Sequence, residues 1–208
     1  MAEVRVNVGQ WAHAHFLEWW NSRYERLVAD RKRHLLGSLS GEVLEIGAGT
    51  GPNLRFYSTG ISLTAVEPNP YMHRYLRRKA DAQGLLLEIQ QSVAERMPSP
   101  SDRFDAVVST LVLCSVRRPA VVLAEILRVL KPGGRFVFIE HVAAEPGSTT
   151  RRRQEWIGPL CQCLADGCHP DRETGQTIEG AGFREVTYTR FRLDLPVVGP
   201  HIAGYAVK

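Results

Sequence analysis

The segment Glu45-Ile46-Gly47-Ala48-Gly49-Thr50-Gly51 combines a carboxylate with three alternating glycines. An apolar run precedes it, so the pattern predicts a buried strand that turns sharply toward a helix. Glycine takes positive φ without strain and lets a ligand lie against bare backbone, so we expect this turn to bind a ligand. The spacing G-x-G-x-G differs from the G-x-G-x-x-G of a dinucleotide site, whose last glycine is replaced here by Pro52. Glu45 would repel a pyrophosphate and attract a cationic group.

A second acid follows the next apolar run. Residues 61–66 predict a strand, and Glu67 comes directly after it, 16 residues beyond Gly51. Cofactor-binding α/β folds place an acid at about this distance to accept both hydrogens of a ribose diol. Pro68 and Pro70 then stop the strand and allow a helix to begin.

Three cysteines and a histidine lie close together in the later part of the chain: Cys161, Cys163, Cys168 and His169. These side chains could bind zinc, but the C-x-C-x4-C-H spacing lacks a second well-spaced pair, and we predict no metal. The chain shows no signal peptide, so we expect reduced cysteines in a cytoplasmic protein. We interpret them as small buried side chains that line a pocket.

These residues must be positioned by strands and helices, which the apolar pattern predicts in alternation. The elements after the glycine turn are a helix starting at 53–57, a strand at 61–66, a helix at 71–82, strands at 85–89 and 104–109, a helix at 120–130 and a strand at 135–141. A last helix at 173–181 and two β-rich runs at 183–191 and 201–207 follow. This order predicts an α/β fold with a mostly parallel sheet.

Two further segments flank this core. Residues 11–36 carry aromatic and aliphatic side chains at helical spacing, which suits core packing, a lid over the site or an interfacial membrane helix. Residues 144–170 are too long and too apolar for a simple connector.

The composition limits the function classes. The 208 residues suit one domain, and the charge of +4 with a pI near 9.0 comes from scattered basic residues and three short clusters. We therefore expect no nucleic-acid partner. No apolar run approaches the roughly 18 residues that a membrane span needs, so we expect at most peripheral membrane contact. The sequence makes no prediction of oligomeric state.

The motif E-x-G-x-G-x-G resembles motif I of the class I S-adenosylmethionine-dependent methyltransferases, and Glu67 matches motif II. The resemblance implies a Rossmann-like fold: a mostly parallel seven-stranded sheet with an antiparallel last strand and helices on both faces. It also implies S-adenosyl-L-methionine as the cofactor, whose ammonium and sulfonium suit the acid at Glu45. The residues expected at the cofactor are Tyr24, Glu45, Gly47, Ala48, Gly49, Gly51, Glu67, Pro68, Ala94, Glu95, Thr110, Leu111 and Val112.

Two loops carry the finer part of this resemblance. Residues 92–98 resemble the adenine-contacting loop, with Ala94 against the ring, but Val93 replaces the common aspartate, so that Glu95 or backbone must supply the polar contact. After the strand at 104–109, residues 109–112 lack the N-P-P-Y tetrapeptide of enzymes that methylate planar amino groups. Base and glutamine N-methylation are therefore not favoured.

A finer resemblance is to methyltransferase-like protein 7, the alkyl thiol S-methyltransferases. It is carried by residues 110–116, 133–134, 140–145, 166–168 and 172–173 and by the ending 201–208. The resemblance covers most of the chain after residue 40, although that family's leading membrane helix has no counterpart here. It implies one domain over 1–208, with lid helices at 1–40, a cofactor-binding core at 41–142, an acceptor-pocket insertion at 143–170 and a C-terminal helix and strands at 171–208.

A small thiol is accordingly the expected substrate, reacting as its thiolate. A thiol pKa of about 8.5 needs lowering by only one or two units, and His141 is the first candidate for that task, followed by Asp166 and His169. Phospholipid, quinone or arsenite methylation and cofactor binding without turnover are the alternative interpretations.

Overall fold

The computed structural model describes residues 23–165 and 167–208. Its helices are α1 over residues 23–36, α2 (Pro70–Gln83), α3 (Pro119–Val129), α4 (Thr149–Leu164) and α5 (Thr174–Glu179). Its strands are β1 (Glu42–Ile46), β2 (Ser62–Val66), β3 (Leu86–Gln90), β4 (Phe104–Thr110), β5 (Leu130–His141), β6 (Glu185–Arg192) and β7 (Pro200–Val207).

The strands form one seven-stranded sheet in the order β3-β2-β1-β4-β5-β7-β6. Strands β1 to β5 pair in parallel, whereas β7 runs antiparallel to both β5 and β6. The predicted fold is thereby confirmed. The strand order reverses beside β1, and the carboxyl ends of β1, β2 and β4 meet at the edge where open α/β sheets bind ligands.

Successive residues of β1 face opposite sides of the sheet and enter different cores. Val43 packs in the cluster that contains Leu76 of α2, and Leu44 packs in the cluster that contains Val122 of α3. Helices therefore cover both faces, and the core is continuous on each side of the strand that ends in the glycine turn.

Local signals explain the ends of α2. The Asn69 side chain accepts a hydrogen bond from the Tyr71 N–H, Pro70 occupies the first turn, and Gly84 closes the helix at φ 64°. This helix and its cap place Glu67 just before the first turn of α2.

Three elements differ from the sequence prediction. The residues after the glycine turn form only a 3-10 turn, Leu54–Phe56, because the Tyr57 hydroxyl donates to Glu45 and draws the chain back toward β1. Residues 131–134, expected to join a helix to a strand, instead form a bulge within β5. The bulge lies between the paired residues Phe104–Leu130 and Ala106–Arg135. Helix α5 is shorter than predicted.

Helix α1 packs beside the connection between β6 and β7. Tyr24 and Val28 contact Leu193 and Leu195, and Lys32 is fully buried with its Nζ 2.5 Å from Glu25. The remainder of the predicted lid, residues 1–22, lies outside the described residues. Among the described residues, none of the helices combines the length and apolar composition that crossing a bilayer requires.

Candidate active site

The glycine turn has the positive-φ backbone that its sequence predicts. Gly47, Gly49 and Gly51 have φ values of 58°, 56° and 77°, a region that residues with a Cβ rarely adopt. The Gly47 N–H donates to the Val66 carbonyl at 2.8 Å, which fixes the turn to the end of β2.

Glu67 is placed directly against this turn. One carboxylate oxygen accepts from the Gly49 N–H at 2.8 Å, and the other accepts from the Asn69 N–H at 2.8 Å. The side chain is only 5% exposed. Its carboxylate therefore has a fixed orientation between the two loops that a ribose would contact.

Gly49 and Gly47 differ in what surrounds them. A Cβ built on Gly49 would meet only the Gly47 carbonyl oxygen, at 4.0 Å, so this face of the turn is open backbone. A Cβ on Gly47 would lie 2.7 Å from the side chain of Val112, in the loop after β4. Gly49 thus leaves space for a ligand, and Gly47 allows close packing of two loops.

Glu45 is buried and bonded within the protein. Its two carboxylate oxygens accept from Asn53 at 2.9 Å and from Tyr57 at 2.7 Å, and burial raises the pKa of Glu45 to about 7. Asn53 also donates to the Thr110 hydroxyl at 3.1 Å. Glu45 therefore links the glycine turn to the loop after β4, and its direct contact with a cofactor stays a prediction.

The expected adenine loop lies after β3. Ala94 is buried, whereas Val93 is half exposed and Pro68 is exposed. The Glu95 carboxylate accepts from the Arg117 N–H at 3.1 Å and from the Arg118 N–H at 3.4 Å. Glu95 consequently braces the segment before α3, which leaves backbone as the more available polar partner for adenine.

The loop after β4, residues 110–116, is called the acceptor turn below. Leu111 has φ 57°, a strained value for a residue with a branched side chain, and its N–H donates to the Ile139 carbonyl. Glu140 is fully buried and accepts from the Ser109 hydroxyl at 2.5 Å and from the Val112 N–H at 3.1 Å. Burial raises the pKa of Glu140 to about 8, so that this brace of the acceptor turn is mainly uncharged at neutral pH.

Three side chains from separate segments meet at the acceptor turn: Cys114 of the turn itself, His141 and Cys168. We call these three residues the thiol cluster. Their ligating atoms lie within 4.8 Å of one another, and His141 Nε2 is 3.2 Å from Cys168 Sγ. The hydrogen bond from Cys168 and the charge of His141 lower the pKa of the Cys114 thiol. The structure thus places the predicted catalytic His141 among sulfur atoms.

The other two predicted catalytic residues are not in this cluster. Asp166 lies outside the described residues. The His169 ring pairs with Gln162 of α4 at 3.1 Å, while its backbone N–H donates to the Cys114 carbonyl at 2.9 Å. His169 therefore contributes through its backbone, which ties the loop that carries Cys168 to the acceptor turn.

Several buried polar atoms face this region without a partner among the described residues: Tyr24 Oη, Glu140 Oε2, His141 Nδ1 and His201 Nε2. The Tyr24 and His201 rings are 5.7 Å apart, and the His201 and His141 rings are 6.2 Å apart. Burial and the nearby Glu140 raise the pKa of Tyr24 well above its ordinary value, so its phenol keeps its proton. A polar ligand would satisfy such atoms.

A surface hollow of about 480 Å³ lies elsewhere, between α1, the 3-10 turn and the end of α2. Its lining includes Gly51, Arg55 and Lys79 but neither Glu67 nor Ala94. We therefore do not place the cofactor there.

The open backbone at Gly49, the fixed Glu67 carboxylate and the buried Ala94 fit a cofactor with an amino-acid moiety, a ribose and an adenine. A family model described as a methyltransferase domain matches residues 44–138. An S-adenosylmethionine-dependent methyltransferase from Thermotoga maritima superposes with a TM-score of 0.62 at 21% identity, over 93% of this chain and 99% of that one. The chain is a class I S-adenosylmethionine-dependent methyltransferase.

The sequence comparison defines the family. Thiol S-methyltransferase TMT1A of Homo sapiens is 38% identical over 208 residues, covering 93% of this chain and 85% of that protein. Thiol S-methyltransferase TMT1B of Rattus norvegicus is 41% identical over 203 residues, covering 90% and 82% respectively. The chain belongs to this thiol S-methyltransferase family.

Sequence reasoning missed several residues that the structure places in the site: Asn53, Tyr57, Glu140 and His201. The acid after an apolar run was a usable signal for Glu140, since the same signal identified Glu67. The roles of the others depend on tertiary contacts, and no local sequence pattern predicts such contacts.

Proposed function

We propose that this protein transfers the methyl group of S-adenosylmethionine to the sulfur of a small alkyl thiol, hydrogen sulfide included. The observation that carries the proposal is the 38–41% identity to thiol S-methyltransferases across more than four fifths of their length.

The acceptor side supports a thiol over an amine. Tyr24 and Leu111 pack in one apolar cluster, and burial keeps Glu140 mainly uncharged. An amine acceptor would favour oxygens that hold and deprotonate an ammonium, and residues 109–112 offer no tetrapeptide of that kind. A thiol needs only to be oriented and deprotonated in a largely apolar space.

The bound cofactor supplies an electrophilic methyl group. The residues of this chain do the positioning: Gly49 and Glu67 orient the ribose side, and Glu140 fixes the acceptor turn through Ser109 and Val112. Alignment of the two reactants within an enclosed site provides most of the acceleration expected for such a transfer. The thiolate is the nucleophile, because a neutral thiol is a much weaker one.

The acceptor pocket in this proposal lies between α1, the acceptor turn and the segment 156–169. Its support is the packing of Leu111 against the apolar cluster that contains Tyr24, together with the hydrogen bond from the His169 N–H to the Cys114 carbonyl. The cytoplasmic location expected from the sequence is part of the same proposal.

Methyl-labelled cofactor incubated with a panel of acceptors tests the function. The panel contains 2-mercaptoethanol, sulfide, a phosphatidylethanolamine vesicle, arsenite and a reduced quinone. We expect label in the thioether products and the methylated sulfide. Label in the phospholipid, arsenic or quinone product with none in any thiol would reject the proposal, and label nowhere would favour cofactor binding without turnover.

A further inference from the structure

The thiol cluster has the composition of a metal site. Cys114 and Cys168 offer two sulfur ligands and His141 offers Nε2, and all three atoms lie within 4.8 Å of one another. Four-coordinate zinc needs ligand separations of about 3.5–3.8 Å, given Zn–S near 2.3 Å and Zn–N near 2.0 Å. Binding would therefore require the cysteine side chains to rotate so that the ligand atoms come closer together.

The backbone holds these three ligands close together before any metal binds. Arg172 donates to the carbonyls of Leu113 and Val116 at 2.5 and 2.8 Å, which fixes the segment that carries Cys114. The His169 N–H joins the loop of Cys168 to the same segment. His141 pairs with His201 in the register of β5 and β7. Three separate segments therefore converge with little freedom left to lose on binding.

The number of ligands decides what kind of site this would be. Structural zinc sites have four protein ligands, whereas catalytic sites have three and leave one position for water or substrate. Cys161 does not join this group of ligating atoms, Cys163 is exposed on α4, and the His169 ring is engaged with Gln162. The part of the chain that the structure describes therefore offers three ligands. A site with two thiolates and an imidazole binds zinc in preference to harder divalent cations such as magnesium and calcium.

We propose that Cys114, His141 and Cys168 bind one zinc ion whose fourth position takes the substrate thiol as its thiolate. This deepens the proposed function and rests on it, and it departs from the sequence-based expectation of no metal. Coordination to zinc deprotonates a thiol outright, which supplies the nucleophile at neutral pH without a strong base. The Arg172 guanidinium interacts with both cysteines and offsets the negative charge of a three-thiolate complex.

The chemical step balances with the groups named. The substrate sulfur loses its proton to solvent as it binds zinc, and then forms a bond to the methyl carbon. The bond from that carbon to the sulfonium sulfur breaks, and its electron pair stays on that sulfur. The neutral thioether is a weaker zinc ligand than the thiolate and leaves.

Cobalt(II) substitution in the full chain tests the site by spectroscopy. After chelator dialysis under reducing conditions, we expect one cobalt per chain, with tetrahedral d–d bands and a thiolate-to-cobalt band. In Cys168→Ser that thiolate band should fall by about half, and zinc affinity should fall by on the order of a hundredfold. Cys163→Ser is the matched control and should behave as the unmodified protein. Circular dichroism confirms that each variant is folded.

Adding 2-mercaptoethanol tests the fourth position. The thiolate band should rise by about half as a third sulfur joins the metal. In Cys168→Ser the added thiol should restore the band only to about the intensity that the unmodified protein shows without thiol. Substoichiometric metal, or equal losses in Cys163→Ser and Cys168→Ser, would overturn the site. A Cys114–Cys168 disulfide in place of bound metal would overturn it as well.

Activity separates this inference from the proposed function. Full thiol methylation by metal-free enzyme would reject the zinc and leave the proposed function intact. Stoichiometric metal with methyl transfer only to a non-thiol acceptor would reject the proposed function and the thiolate-binding step with it.

Discussion

The Glu67 carboxylate accepts a hydrogen bond from the Gly49 N–H at 2.8 Å, and this contact joins the loops that end β1 and β2. The same carboxylate accepts from Asn69 at the start of α2. Glu67 is therefore oriented by both loops before a cofactor arrives. Because the side chain is already oriented, less conformational entropy is lost when a cofactor binds.

Replacing Glu67 tests its assignment to the ribose. Glu67→Ala should weaken S-adenosylmethionine binding by on the order of tenfold or more, because two charge-assisted hydrogen bonds to the diol are lost. Titration calorimetry measures the dissociation constant. Exposed Glu145→Ala is the control, and an unchanged constant in Glu67→Ala would remove this residue from the ribose site.

The glycine turn allows a matched pair of substitutions. Gly49→Ala should cost only about 1 kcal/mol of unfolding free energy, from backbone strain, yet should abolish most cofactor affinity because its Cβ enters the ligand's space. Gly47→Ala should cost about 2–3 kcal/mol, because its Cβ would lie 2.7 Å from Val112. Thermal unfolding without cofactor and calorimetry with it separate the two effects. Equal effects of the two substitutions on affinity would contradict the open face at Gly49.

Glu45 predicts how stability depends on pH. Burial raises its pKa from 4.5 in the unfolded chain to about 7, so its contribution to stability is fully present below pH 4.5 and is lost as pH rises through about 7. Glu45→Gln resembles the protonated acid and should remove this decline. Chemical denaturation at pH 5.5 and pH 8.5 measures it, with a stability gain for Glu45→Gln relative to the unmodified protein at the higher pH. The same difference at both values would show that Glu45 keeps an ordinary pKa.

Replacing Arg172 should impair the reaction with the thiol acceptor without weakening cofactor binding. Arg172→Met leaves the carbonyls of Leu113 and Val116 without their charged donor, so the acceptor turn should loosen. We expect kcat/KM for a thiol to fall by about tenfold, with the cofactor dissociation constant nearly unchanged. Steady-state kinetics and calorimetry provide the two readings, and exposed Arg184→Met is the control. A parallel loss of cofactor affinity would mean that Arg172 supports the whole sheet edge rather than the acceptor turn.

The sequence alone determined the parts of this protein that local rules govern. The spacing of Gly47, Gly49 and Gly51 predicted a positive-φ backbone that other residues rarely adopt. The position of Glu67 at the end of a predicted strand identified it as a candidate cofactor ligand. Apolar periodicity gave the order of strands and helices, because burial on a strand or helix repeats at a fixed spacing. Each of these signals lies within a few residues of the feature it predicts.

The tertiary structure decided which reactive side chains meet. Cys168 shares a cluster with His141, 27 residues away, and with Cys114 of the acceptor turn. Its sequence neighbours Cys161 and Cys163 lie on α4 and do not join this group, and Cys163 is exposed. The helix expected after the glycine turn was likewise replaced by a 3-10 turn, since Tyr57 donates to the buried Glu45. Contacts between distant segments outweigh local preference when a buried polar group must be satisfied.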